Sequence, residues 1–246
     1  MDIAELLTPF ERLLAEHYAP EKLRAMQGDD ALVSEAQTAV EASGFLDVMR
    51  AESDGGAGLP LLAVEPLMRA IGAQAAPASL AVAMLERAVG SRVSQELSAV
   101  AHSVLIAGAL EKLLAICVDY ANMREQFGKP IGKQQSLQHQ LALLAEQSAL
   151  VRIASQYGCA AGLEVKAERA AVAKHTASAA VPLAASVAHA VYGAIGITAE
   201  HDLQLWVTRL YDWRDACGSE SKWADVIGKA RLTDGTAMSV DFVRSI

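Results

Sequence analysis

Apolar residues recur at helical spacing along almost the whole chain, while no run of alternating residues between turn signals is long enough for a sheet. Leu110, Leu114, Cys117 and Ala121 repeat at intervals of four, three and four, which places them on one stripe of a helix. Leu137, Leu141, Leu144 and Val151 form a second such edge. About one residue in five is alanine, which loses no side-chain entropy in a helix, and aromatics at 5% leave little for a strand-rich core. The expectation is an all-α fold.

Punctuation divides the pattern. Leu6, Phe10, Leu13 and Leu14 suggest a short amphipathic helix; Asp30 can cap a second, which Gly44 ends. The glycine-rich Glu52–Leu59 stretch breaks the chain before helices over Leu61–Ala73 and Ala78–Val89. Three long helices are expected next: from about Val93 to the Gly128–Gly132 stop, from about Gln134 to Gly158 or Gly162, and from about Val165 to the Gly193–Gly196 region, with a kink at Pro182. Leu203–Trp213 and Ser221–Ala230 read as shorter helices, and the end from Asp234 shows no periodicity. Two domains are expected: an N-terminal helical region over residues 1–92 and a C-terminal four-helix-type bundle over 93–246.

Charge and cysteine usage exclude several classes. With 21 Lys+Arg against 29 Asp+Glu the net charge is −8, which argues against binding driven by nucleic-acid phosphates. The three cysteines are widely spaced, with no CxxC pair, which suits a reducing cytoplasm. An acidic start, Met1–Glu5, does not resemble an export signal. Ala177–Ile197 has the length of a membrane span, but its small residues with Pro182, Ser186 and His189 would partition poorly into lipid. Six histidines show no HExxH spacing for zinc. Gly55-Gly56-Ala57-Gly58 is followed by Leu59-Pro60 rather than the lysine and hydroxyl of a phosphate loop, and reads as a turn.

The informative segment is Tyr120-Ala121-Asn122-Met123-Arg124-Glu125-Gln126-Phe127-Gly128-Lys129-Pro130-Ile131-Gly132. It presents a guanidinium, an amide and an aromatic ring just before a rigid turn. Such groups suit a dinucleotide, because arginine pairs with a diphosphate and a ring covers an adenine face. They suit equally a helix stop with an exposed charge, and chemistry alone leaves both open.

The segment closely resembles the RxQFGxPIG signature of the acyl-CoA dehydrogenase family, and the likeness continues through Gln135 and Leu137. Ala190 to Glu200 is similar to the family's QxxGGxGxT motif and its acidic follower. Glu52 to Leu59 is similar to its EEYGGLGL turn. The resemblance implies FAD and the removal of two hydrogens from the α and β carbons of an acyl-CoA thioester. A carboxylate takes the proton and the flavin the hydride. Carried over by position, it assigns Arg124 to the FAD pyrophosphate of a neighbouring subunit and Gln126 with Phe127 to the adenosine side. Gly193, Gly196 and Thr198 fall in the second cofactor motif.

Three departures qualify the likeness. The family's β-rich middle domain has no room between Arg92 and Leu105, since a domain needs at least ~50 residues. Its catalytic EGT triplet falls on Cys217-Gly218-Ser219, and its variant base position falls near Ser98, with Glu96 nearby. Glu220, three residues from the expected position and most of a helical turn away, is the substitute base. Ala190 and Ala194 replace the motif's glutamine and second glycine. The expectation is a subunit that helps complete an FAD site in a homo- or hetero-oligomer with an acyl-CoA dehydrogenase-like partner. The alternatives are a helical scaffold that has lost flavin chemistry, or a self-sufficient homo-oligomeric enzyme using Glu220 or Glu96.

Overall fold

A computed structural model describes residues 3–198, 201–235 and 238–246. Its helices are α1 (Ile3–His17), α2 (Pro20–Ala25), α3 (Asp30–Ala42), α4 (Leu61–Ala73), α5 (Ala78–Val89), α6 (Gln95–Met123), α7 (Gln135–Cys159), α8 (Ala167–Tyr192), α9 (Leu203–Asp215), α10 (Glu220–Thr233) and α11 (Ser239–Ser245). Among the described residues the extended structure is one antiparallel pair, β1 (Glu125–Gln126) with β2 (Lys129–Pro130). The all-α expectation holds.

Residue α6 positions carry the core. This helix packs against α4, α7, α8 and α9, and its middle, from Ala99 to Leu110, is buried without a break. By length and composition α6 and the Ala167–Ile197 stretch are long and apolar enough to cross a membrane, but 72% of the α6 window lies inside the protein. Small side chains permit the close packing of α8, where Ala170, Ala173, Ala177, Ala180, Ala184 and Ala188 are all buried. The helix is continuous from Ala167 to Tyr192 with Pro182 inside it.

Helices α4 and α6 approach each other backbone to backbone. A Cβ on Gly72 would lie 2.1 Å from the Leu105 carbonyl oxygen, and one on Gly108 would lie 2.0 Å from that of Arg69. Only glycine permits backbones to meet at this separation. Beside the crossing, buried Glu65 accepts from Arg69 Nε at 3.1 Å, and Arg69 also donates to Glu111 on α6. Burial raises the Glu65 pKa, with Arg69 opposing it. The pair is tied off within the α4–α6 seam rather than offered to solvent.

Local differences from the sequence reading have local causes. Asp29, not Asp30, caps α3, its carboxylate accepting from the Ala31 and Leu32 amides at 3.0 and 3.2 Å. Glu52–Asp54 forms a single 3₁₀ turn that Gly55 ends in the left-handed region. The short α2 and α11 hold too few residues for periodicity to reveal. Gly108→Ala is expected to cost about 1–3 kcal/mol, the usual range for overpacking a filled core, read as a lower urea midpoint with an unchanged m-value.

Candidate functional site

Arg124 terminates α6, its amide still bonded to the Tyr120 carbonyl at 2.8 Å. The chain then doubles back through β1 and β2. Phe127 (φ +53) and Gly128 (φ +75) occupy the two-residue turn. Two successive positive φ values match the twist of a tight hairpin, and a bulky residue at the first of them is uncommon. The Ile131 amide closes the loop on the Arg124 carbonyl at 2.8 Å, and the Ile131 side chain anchors it in the core. The result is a rigid spur that holds Phe127 92% exposed.

Opposite the spur, α8 ends at Tyr192. Gly193 follows with φ +62 and ψ −142, a conformation that essentially only glycine adopts, and a Cβ there would meet nothing within 4 Å. Between spur and α8 end lies a cleft of about 630 Å³, lined among others by Arg124, Gln126, Gln134, Ser136, Tyr192 and Gly193. Tyr120 and Tyr192 stack at 4.2 Å to form one wall, and Tyr192 donates its hydroxyl to the Ile116 carbonyl at 2.9 Å. His201 packs 4.3 Å from Tyr192; its pKa is lowered by burial and by nearby Arg24, itself paired with Asp202. Arg124 is exposed, and its guanidinium makes no hydrogen bond or ion pair among the described residues.

The structure thus brings Arg124, Gln126 and Gly193 to one cleft. Phe127 projects from the spur outside the lining. Gly196 is buried against Tyr192 and Leu203, where a Cβ would come within 2.8 Å of the Tyr192 Cβ, so packing requires it. Thr198 is exposed and donates to the Ile195 carbonyl at 2.9 Å. The motif's acidic Glu200 lies outside the described residues. Sequence reasoning missed the Tyr120–Tyr192 wall: both rings sit beside quoted motif residues, but only the fold pairs them.

Glu220 lies elsewhere, at the start of α10, where it is ion-paired with Arg214. Burial raises its pKa, but hydrogen bonds from its own amide and from Arg214 outweigh this and hold it below the usual carboxylate range. The two positions counted from the family's base do meet: Cys217 Sγ is 3.1 Å from Ser98 Oγ. They line a second cleft, where neither Glu96 nor Glu220 is found; the carboxylate there is Glu86.

Fold and cleft together define a helical-bundle protein with an outward-facing cationic cleft at the end of its central helix. The chain belongs to the acyl-CoA dehydrogenase family: residues 91–215 match the family model for the acyl-CoA dehydrogenase C-terminal domain. Acyl-CoA dehydrogenase IpdE2 of Mycobacterium tuberculosis is 38% identical over 104 residues, 42% of this chain and 32% of that protein. The match therefore spans about a third of the curated relative's length. In structure, a chain of the Tcur3481-Tcur3483 steroid ACAD G363A variant superposes with a TM-score of 0.80 at 18% identity, covering 94% of this chain and 99% of that one. A chain of the ChsE4-ChsE5 complex from Mycobacterium tuberculosis gives 0.75 at 14% identity, covering 96% and 98%. At those identities the likeness is one of fold.

Because the folded pKa of Glu220 lies below its unfolded value, its pairing with Arg214 stabilises the protein above the ordinary glutamate range. That contribution is lost as pH falls through the folded pKa. Glu220→Gln is therefore expected to lower thermal stability at pH 7 and to narrow its difference from the wild type as the pH is taken down through the acid limb.

Proposed function

We propose that this chain is one subunit of a homo- or hetero-oligomeric acyl-CoA dehydrogenase, and that its Arg124 cleft helps complete an FAD site housed mainly by a partner subunit of the same family. The reaction served is the α,β-dehydrogenation of an acyl-CoA thioester. The observation that carries this reading is Arg124 itself. A charged side chain, exposed and without a partner among the described residues, stands at the edge of a cleft whose far wall is the open backbone of Gly193.

The residues fit the cofactor. A fork of guanidinium donors suits a diphosphate, and Gly193 leaves space for close approach where any side chain would intrude. Arg124 would hold the pyrophosphate, with Gln126 and Phe127 toward the adenosine. FAD, when bound, supplies the hydride acceptor. The rigid spur favours binding because its geometry is set before the ligand arrives, so less ordering entropy is lost on association.

Several features support a partner. Both positions counted from the family's base carry non-carboxylates, Ser98 and Cys217, so the proton acceptor is assigned to the partner. No β-rich domain stands between α5 and α6, which are joined by a short turn. The outer faces of the bundle carry exposed apolar side chains, Leu143, Leu150 and Ile153 on α7 among them, of the kind that subunit contacts cover. The three cysteines are free, which fits a reducing cytoplasm.

A second reading, a helical scaffold without flavin chemistry, draws on the same missing carboxylates. Flavin content separates the two. Co-expressed with a full-length family member, the chain is expected to co-purify in a complex with flavin absorbance, and Arg124→Ala is expected to lower flavin per complex several-fold while the complex still assembles. A colourless complex favours the scaffold, and unchanged flavin in Arg124→Ala removes the role given to that residue.

A further inference from the structure

At the other end of α6, the turn between α9 and α10 carries Cys217 at φ +62. Its carbonyl accepts from Gln95 Nε2 at 3.3 Å and from Lys222 Nζ at 3.4 Å, which pins the turn to the start of α6 and to α10. Its sulfur lies 3.1 Å from Ser98 Oγ and 3.8 Å from His102 Nδ1. That nitrogen is also 2.8 Å from the Ser98 carbonyl oxygen. A carbonyl only accepts, so Nδ1 carries the proton. That N–H is engaged chiefly by the Ser98 carbonyl and reaches the sulfur only as the longer, shared contact, and His102 does not take the thiol proton through that atom.

Further charge reinforces the arrangement. Lys174 is fully buried and donates to Ser178 Oγ and the Arg214 carbonyl, both at 2.7 Å. Burial lowers its pKa to about 8, against the attraction of Cys217, Asp215 and Glu220. Burial raises the Cys217 thiol as well, but His102, Ser98 and Lys174 outweigh it and bring it below the ordinary cysteine value. Cys117 shows the opposite balance: fully buried without such donors, it is pushed up to about 12, and Cys159 shifts the same way.

The cleft beside this sulfur holds about 530 Å³ and mixes apolar walls, Val82 and Val93, with Arg92 and Ser94 at the N-terminal end of α6. Arg92 is exposed and makes no hydrogen bond or ion pair among the described residues. The charged and titratable groups around the thiol are Glu86 from α5, Arg92, His102 from α6, Lys174 from α8 and Lys222 from α10. A soft nucleophile, hydrogen-bond donors to its anion, a short apolar wall and an unpaired guanidinium thus share one opening.

We propose that Cys217, with Ser98, His102 and Arg92 around this cleft, is a covalent acceptor site for small α,β-unsaturated carbonyl compounds. The thiolate sulfur forms a C–S bond at the β carbon, and the C=C π pair moves to the α carbon and onto the carbonyl oxygen, toward Arg92. The α carbon then takes up one proton, matching the one the thiol released. Nothing is oxidised or reduced, and the product is a thioether. The proposal needs no flavin and is independent of the Arg124 reading.

The folded chain is treated with methyl vinyl ketone or with iodoacetamide, which alkylates thiols without forming an enolate, and adducts are mapped by peptide mass. The expected result is a single adduct at Cys217, formed faster than with glutathione at the same pH, with a rate midpoint below that of glutathione. Ser98→Ala is expected to raise that midpoint, and Cys217→Ser to abolish the adduct. Arg92→Gln is expected to slow methyl vinyl ketone several-fold while leaving iodoacetamide unchanged. Labelling no faster than glutathione, or spread over Cys117 and Cys159, overturns the site. Equal slowing of both reagents in Arg92→Gln, or slowing of neither, overturns the assignment to conjugated carbonyls.

Discussion

Backbone contact between α4 and α6 is the constraint on which the rest depends. Gly72 and Gly108 each meet the carbonyl of the opposite helix, so the two axes sit closer than side chains ordinarily permit. With that crossing fixed, α6 becomes the shared member of the bundle, and α7 and α8 pack on its remaining faces. Alanine serves the same end along α8, where a row of methyl groups replaces longer chains. Interiors filled this tightly are nearly incompressible and hold their ends in fixed relation. The spur at Arg124 and the turn at Cys217 are held by opposite ends of one well-packed rod.

Much of this architecture was legible in the residues. Period and punctuation placed Leu61–Ala73 and Ala78–Val89 with the bounds the structure gives, because proline precedes both helices and Gly90 follows the second in the left-handed region. The long helices were visible for a similar reason: Gly128 to Gly132 stops α6, and Gly193 stops α8. What escaped was short or non-local. The helices α2 and α11 each span less than two full turns, and a two-residue ladder has no period. Pro182 lies inside α8, where its missing amide interrupts only one bond and the helix continues on both sides.

The candidate sites divide along the same line. Arg124, Gln126 and Gly193 were legible because each lies in a contiguous motif. The Tyr120–Tyr192 stack was not, since nothing in either segment says that the end of α6 faces the end of α8. Counting from motifs placed Cys217 and Ser98 at two alternative positions for one chemical role, and the fold sets those side chains in contact. Their surroundings had no signal at all. Lys174 reads as one more charged residue on a helix, although its whole side chain is enclosed.

The length of α6 has a consequence for assembly. Ser98 lies near its start and Arg124 at its end, and at 1.5 Å of rise per residue these positions are separated by roughly 39 Å along the axis. No single small molecule bridges that distance. A small ligand at one end is out of reach of the other, so the two poles answer to separate ligands or to separate parts of a neighbouring subunit. A chain organised in this way has a natural head and tail.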